Sequence, residues 1–595
     1  MLKRIVVHVI LFSLLCCVSP AQRNAAHRVA TAPSQPDLSA RMDRTVRYYS
    51  DDDLFSGSVM VARDGKVLFS GAYGYADPEW KVPNTVDTRF RIGSLTKQFT
   101  AASILMLEDR GLLKVEDPLK KYFPNVPAAW DDITIHELLT HTSGIVTYTL
   151  VRHPWPTNEP FDVPKLIDFL KDAPLDFPPG TDYRYDNSGY FLLGGIIEKV
   201  SGQSYEKFLH DNVFAPLGMT STGYDHLETF LDHRASGYDR NGIHEYSNAA
   251  YMDMSVPYAA GALYSTVSDL TTWEQALYNG QLFSPAELQK MTTGYSAKVA
   301  KSDWGYSYGY GIMIGAEKGR RLYHHTGGIN GFRSVLYYYP DEKLSVAVLS
   351  NMTGSRHVDV ADNLAALVHG DEIKQPQPVT VPAATLQRYT GAYGVAGKPP
   401  IAVSLKDGRL AAKFGNRAGI YLVSETPTKF YDKVTGSEVS FSVGPDHTAT
   451  ELTVVSEGKQ TVNPRLPAAA GLEGRWRIEF PWDSTTLHAL LTISSVNNGA
   501  FHGTLQSADV PNSQPMPLDG TIKGQDISFV TRLRDNKTNR DLVASSYTGT
   551  LDGDELRLVY RNLEPAKPGS PRPDHGNLHS MHAVRDSAVA PAAKE

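Results

Sequence analysis

An apolar run from Ile5 to Val18 follows Lys3 and Arg4 at the start of the chain. It is too short to span a bilayer comfortably, and Ser19 and Ala21 stand three residues and one residue before a cleavage point. This layout predicts a secretory leader over residues 1–21, cut after Ala21. The small, polar, aperiodic stretch 22–40 predicts a linker. Regular patterning starts at Arg41. SVMVA and KVLFSG alternate around Asp64-Gly65, which predicts a β-hairpin whose turn residues tolerate positive φ. QFTAASILMLEDRGLL is apolar around most of its circumference and stops at Gly111, so it predicts a helix buried on most faces. Further helical segments fall at Ile135 to Leu139 and Tyr190 to Val200. SVLYYYP and KLSVAVLSN then return to strand–turn–strand around Asp341-Glu342. Strands at both ends with helices between predict an α+β domain over 41–372.

Beyond the Pro-rich KQPQPVTVP the helical period disappears. IAVSLKDGRLAAKF, with its Asp407-Gly408 turn, and ELTVVS are short alternating runs. A second break, PRLPAAAG, precedes GRWRIEF, LHALLTISS, DISFV and SSYTGTLDGDELRLVY, which turns at Asp552-Gly553. Two all-β modules are expected, small barrels over 373–468 and 469–587, the second similar to a lipocalin. Trp476 reads as a plug of the second barrel rather than a ligand contact. Residues 588–595 read as a frayed tail.

The length of 595 residues fits this multi-domain division. Lys and Arg total 58 against 65 Asp and Glu, with no basic block, which excludes nucleic acid as a partner. Both cysteines, Cys16 and Cys17, lie inside the predicted leader. A lipoprotein signal wants a small residue before its acylated cysteine, and Cys16 follows Leu15, so periplasmic or extracellular export without a lipid anchor is the stronger reading. The mature chain then has no disulfide and depends on packed cores.

Three short strings carry candidate chemistry. Ser94-Leu95-Thr96-Lys97 opens the buried helix, where a spacing of three puts Ser94 and Lys97 on one face and the helix N-terminus adds positive potential. The same spacing recurs at Ser204 and Lys207 and at Ser456 and Lys459, so alone it reads as a capping serine with a solvated lysine. Tyr185-Asp186-Asn187 shares its spacing with Tyr246-Ser247-Asn248 and Tyr560-Arg561-Asn562. It is set apart by its place on a loop between the turn FPPG and the helix YFLLGGIIEKVSG. His325-Thr326-Gly327 occurs once, and in isolation reads equally as a satisfied histidine beside a tight glycine turn.

In this order, and with RIGSLTKQFTAA, ITIHELLTHTSGI, FPPGTDYRYDNSGYFLLGGIIEKVSG, PLGM, AAGALYSTVSDLTTW and HTGGINGFRS around them, the strings resemble the serine β-lactamase and penicillin-binding-protein superfamily over about residues 41–370, in its class C and DD-peptidase-like branch. The resemblance implies Ser94 as nucleophile. Lys97 and Tyr185 would be its proton partners, the Lys97 charge favouring the Tyr185 phenolate, with the formal base left open. It implies substrate binding by Asn187, His325, Thr326 and Gly327, and an oxyanion hole made of the Ser94 and Gly328 N–H groups.

His325 stands where the β-lactamase pattern begins with lysine. A histidine carries little charge at neutral pH, so carboxylate anchoring would lean on the Thr326 hydroxyl and β-lactam hydrolysis is disfavoured. Histidine there resembles certain DD-carboxypeptidases and the D-aminopeptidases, which also carry two C-terminal barrels. The expected function is an exported acyl-enzyme hydrolase of small D-amino-acid peptides. A carboxylesterase, a β-lactamase, and a non-catalytic penicillin or peptidoglycan-fragment sensor are the alternatives. His141-Thr142-Ser143-Gly144 reads as a structural turn, and Tyr308 to Gly311 (YGYG) either lines the cleft or packs. No metal-ligand spacing or phosphate loop occurs and no GxSxG surrounds Ser94, so no cofactor or metal is expected. Expected partners are small peptide or ester substrates and peptidoglycan fragments, with a homodimer left open.

Overall fold

The structure is a computed structural model. It describes residues 37–585 except 152–158, 297–304, 377, 395–400, 415–417, 457, 466–473, 483–484, 498–499, 510–512, 524, 536–539, 553–554 and 563–578. The expected leader, both cysteines, most of the expected linker, the Gly553 half of the second barrel's turn and the tail lie outside the described residues.

Helix α1 (Leu38–Ser50) opens the fold, and its first three residues come from the stretch read as linker. Strands β1 (Gly57–Arg63) and β2 (Lys66–Tyr73) form the hairpin at Asp64-Gly65, where both residues have positive φ, +49° and +74°. Near the end of the domain come β3 (Ser307–Tyr308), β4 (Met313–Glu317), β5 (Arg320–Ile329), β6 (Phe332–Tyr339) and β7 (Leu344–Ser350). All seven pair antiparallel in the order β3-β4-β5-β6-β7-β1-β2, so the N-terminal hairpin completes a sheet whose other strands lie more than 230 residues away.

Helices cover both faces of this sheet. α1 and α5 (His357–His369) pack on one, against Val335, Tyr337 and Tyr339 of β6. α2 (Thr96–Asp109), α3 (Asn187–Ser201) and α4 (Val267–Tyr278) lie on the other, where Leu336 points. Every α2 residue from Thr96 to Leu107 is buried, so any polar group in its first turn is held inside protein.

The first β module is an eight-stranded meander from Gly391–Tyr393 to Lys459–Pro464. A bridge between Tyr393 and Arg465 brings its ends together. The second is a closed eight-stranded antiparallel barrel from Gly474–Trp482 to His579–Arg585, with Trp476 fully buried inside it. Among the described residues no helix is long and apolar enough to cross a membrane.

The first module is welded to the N-terminal domain by a buried charge. Asp52, 4% exposed just past α1, takes the Lys433 ammonium at 2.6 Å and a second bond from Arg409 at 3.0 Å. Lys433 also lies 3.8 Å over the Tyr48 ring, and Ile420 joins the α1/α5 core. Burial raises the Asp52 carboxyl, but the hydrogen bonds and charges of Arg409 and Lys433 outweigh it and hold the group below the ordinary carboxylate range. Lys433→Met will therefore lower unfolding free energy by about 3 kcal/mol at neutral pH, because Asp52 stays buried with half its compensation gone. A depressed carboxylate contributes stability that is present above its unfolded pKa and lost as pH falls through the folded one. The deficit of the variant, measured by denaturant titration, should thus shrink in acid.

Candidate active site

Ser94 sits in a 3-10 turn (Gly93–Leu95) that feeds α2. The Lys97 ammonium, one turn on and fully buried, donates to Ser94 Oγ at 3.2 Å, Asn187 Oδ1 at 2.8 Å and the Ala260 carbonyl at 2.9 Å. It also lies over the rings of Tyr185 at 4.8 Å and Tyr190 at 5.5 Å. Burial pulls the Lys97 pKa down to about 7, with only the nearby Asp186 opposing. The amine therefore gives up its proton far more readily than an ordinary lysine and, once neutral, can accept one from the oxygen it touches.

Tyr185 behaves otherwise than expected. Burial raises its hydroxyl well above the ordinary phenol range and outweighs the lowering by the neighbouring Ser94 hydroxyl. The expectation that Lys97 favours the phenolate is corrected: the lysine lies over the ring face, and desolvation decides.

Asp186 caps α3 by accepting the N–H groups of Ser188 at 2.6 Å and Gly189 at 2.8 Å. Burial pushes its carboxyl up to about 7 despite those bonds and the Lys97 charge. Asn187 is the first residue of α3 rather than part of the loop. Its N–H donates to Thr147 Oγ1 and its Nδ2 to Thr149 Oγ1, which leaves Oδ1 for Lys97.

His325, Thr326, Gly327 and Gly328 all lie within β5, which corrects the reading of a histidine beside a turn. β4 accompanies β5 only as far as His324, and the strand then runs beside the Ser94 turn. The glycines permit this approach. A Cβ on Gly327 would stand 2.1 Å from the Ile92 carbonyl oxygen, and one on Gly93, whose φ is +52°, would stand 2.9 Å from the Gly328 nitrogen. Ser334 Oγ ties β6 to the same Ile92 carbonyl at 2.7 Å. The Gly328 nitrogen is thus held next to the residue before Ser94. Gly327→Ala must push the strand off the turn, and kcat should fall about 100-fold with the protein still folded by circular dichroism.

His325 is 1% exposed, with Tyr308 Oη 2.9 Å from Nε2 and the Thr326 carbonyl 2.6 Å from Nδ1. A carbonyl only accepts, so Nδ1 carries the proton and Nε2 accepts from Tyr308. Burial and the Lys97 charge hold its pKa down to about 3, and it is neutral. Both nitrogens are engaged within the protein, so the buried ring as it stands offers neither to a substrate. Thr326 is half-buried and Gly328 exposed, so among these four residues the two are the ones that reach the surface.

Tyr308 and Tyr310 of YGYG are packed, each 1% exposed. His141, read only as a turn residue, does sit at a turn with Gly144 in the left-handed region, but its ring centroid is 4.4 Å from that of Tyr185. Ala260, Thr147 and Thr149 touch the candidate residues and were missed, while His141 and Tyr308, which also touch them, had been singled out without a site role. Of these only the HTSG and YGYG strings offered a local signal.

A hydroxyl hydrogen-bonded to a buried amine of lowered pKa at a helix N-terminus, with a strand N–H beside it, defines a serine acyl-transfer site. Residues 42–370 match the Beta-lactamase family, and the chain belongs to it; residues 375–465 match a domain of unknown function (DUF3471). Penicillin-binding protein 4* of Bacillus subtilis is 29% identical over 422 residues, 66% of this chain and 91% of that one. Teichoic acid D-alanine hydrolase of Staphylococcus aureus is 25% identical over 342 residues, 57% of this chain and 80% of that one. A D-stereospecific amidohydrolase from Streptomyces sp. superposes with a TM-score of 0.50 at 25% identity, over 56% of this chain and 99% of that one. The protein is a serine hydrolase of this family.

Proposed function

We propose that the chain is an exported hydrolase that forms an acyl-enzyme on Ser94 and passes the acyl group to water, with small peptides and amides of D-amino acids as substrates. The observation that carries the reading is the 3.2 Å bond between Ser94 Oγ and a lysine whose pKa is about 7. Neutral Lys97 takes the Ser94 proton as Oγ bonds to the substrate carbonyl carbon. The N–H groups of Ser94 and Gly328 hold the oxygen that becomes negative, and Asn187 Nδ2 turns from Thr149 to the substrate amide. The proton passes to the leaving amine through Lys97 and the Tyr185 hydroxyl as the carbon–nitrogen bond breaks. Water then attacks the ester by the reverse route.

The D-amino-acid preference is supported by two similar proteins, one named for D-alanine and one for D-stereospecificity. The neutral, occupied His325 supports a weak β-lactamase activity, since no cation stands at that position for the drug carboxylate. Export is supported by the leader-like residues 1–21. Peptidoglycan fragments belong among the substrates on this reading.

The test is a panel of D-amino-acid amides, D-Ala-D-Ala peptides, p-nitrophenyl esters and nitrocefin, compared by kcat/KM. Fastest turnover of a D-amide or D-peptide supports the proposal. Turnover of esters or nitrocefin alone overturns the substrate, and a folded protein that acylates with nothing overturns the activity in favour of a sensor.

A further inference from the structure

The mechanism leaves the buried His141 without a role. His141 is 1% exposed and takes φ of +58°, the left-handed region that glycine and asparagine occupy most readily. A ring kept in that conformation invites the question of what it holds.

Its contacts bracket Tyr185. The His141 carbonyl accepts the Arg184 N–H at 3.0 Å, and its ring Nδ1 accepts the Asp186 N–H at 3.0 Å. The residues on either side of Tyr185 are thus both fastened to this one residue. Because Nδ1 accepts, the ring proton lies on Nε2, which is buried and has no hydrogen-bond partner among the described residues. The ring lies against Tyr185 and, at 4.5 Å between centroids, against Tyr308. Thr147, six residues on, takes the Asn187 N–H, so one turn segment holds the backbone of residues 184, 186 and 187. The carbonyl bond survives any substitution at 141; the ring bond does not.

We propose that His141 is a positioning residue, whose Nδ1 sets where the Tyr185 hydroxyl and the Asn187 amide stand against Lys97. The inference rests on the acyl-enzyme reading above. It makes acceptor chemistry at this atom, rather than the bulk of an imidazole, the requirement.

His141→Asn and His141→Gly separate the two. Both residues accept positive φ, and only asparagine places an acceptor, Oδ1, one bond from Cγ as Nδ1 is. His141→Gly should lower kcat about 100-fold, as misplacement of a reacting group does, with KM within about threefold of wild type. His141→Asn should recover most of that loss. If the glycine variant does not fold, as judged by its melting curve, His141→Ala takes its place in the comparison. A folded glycine or alanine variant with wild-type kcat overturns the proposal, as does an asparagine variant as impaired as it. Labelling of wild-type Ser94 by a fluorophosphonate is run alongside. Its absence would overturn the acyl-enzyme reading itself, whereas a labelled wild type with an unimpaired His141→Gly overturns only the role of His141.

Discussion

Ser94→Ala will take up no fluorophosphonate, and its turnover of the best substrate in the panel will fall about 10^5-fold, the scale on which hydrolases lose activity when the attacking oxygen is removed. The loss is large because nothing near Ser94 can substitute. Tyr185 Oη is buried with its proton held tightly, and the Lys97 amine is hemmed in by Ser94, Asn187 and Ala260. The substitution is structurally mild. The Ser94 side chain gives up one bond, to Lys97, so the melting temperature of the variant should match that of wild type. Intact mass with peptide mapping and a melting curve, taken together, distinguish this outcome from a protein that merely unfolded.

The second large effect falls on Lys97. Lys97→Met should lower the acylation rate about 10^3-fold, within the range that a positioned general base contributes. It should not cost stability near pH 7. An unfolded lysine keeps its proton up to about pH 10.4, whereas Lys97 in the fold gives it up near 7. Between those values the unfolded chain binds the extra proton, so this group makes folding more favourable as pH rises and is a burden to the fold at the acid end of the window. Methionine removes the burden. A variant that loses rate while keeping or gaining melting temperature at pH 7 marks the lysine as a chemical rather than a structural residue, whereas a wild-type rate in Lys97→Met would remove it from the mechanism.

Local pattern was enough for the parts of the fold whose cause is local. The hairpin at Asp64-Gly65 announces itself by alternation and turn chemistry, and α2 by an apolar run ended at Gly111. The barrels follow from repeated short alternating strands. Ser94 and Lys97 were legible because a spacing of three on a helix brings two side chains together without outside help. The remainder depends on approaches between distant segments. Gly327 and Gly328 look like turn residues in the sequence, yet they are strand residues; a side chain on Gly327 would strike Ile92, and one on Gly93 would strike the Gly328 backbone. The protonation preference of Lys97 comes from a pocket closed by Ala260 and Tyr185, and nothing within α2 shows it. His141 was readable as a turn, but its bond to Asp186 joins segments 45 residues apart.

The account stands on Lys97 acting as the base for Ser94, and the pH dependence of Ser94 acylation tests it most directly. The rate of fluorophosphonate labelling, mapped to Ser94 and followed from pH 5 to 11, should rise along a single limb centred near the Lys97 pKa of about 7 and stay level above it. A rate that stays low through neutrality and climbs only above about pH 10, where ordinary lysines and phenols both ionise, would contradict the account, and loss of that limb in Tyr185→Phe would transfer the role to Tyr185.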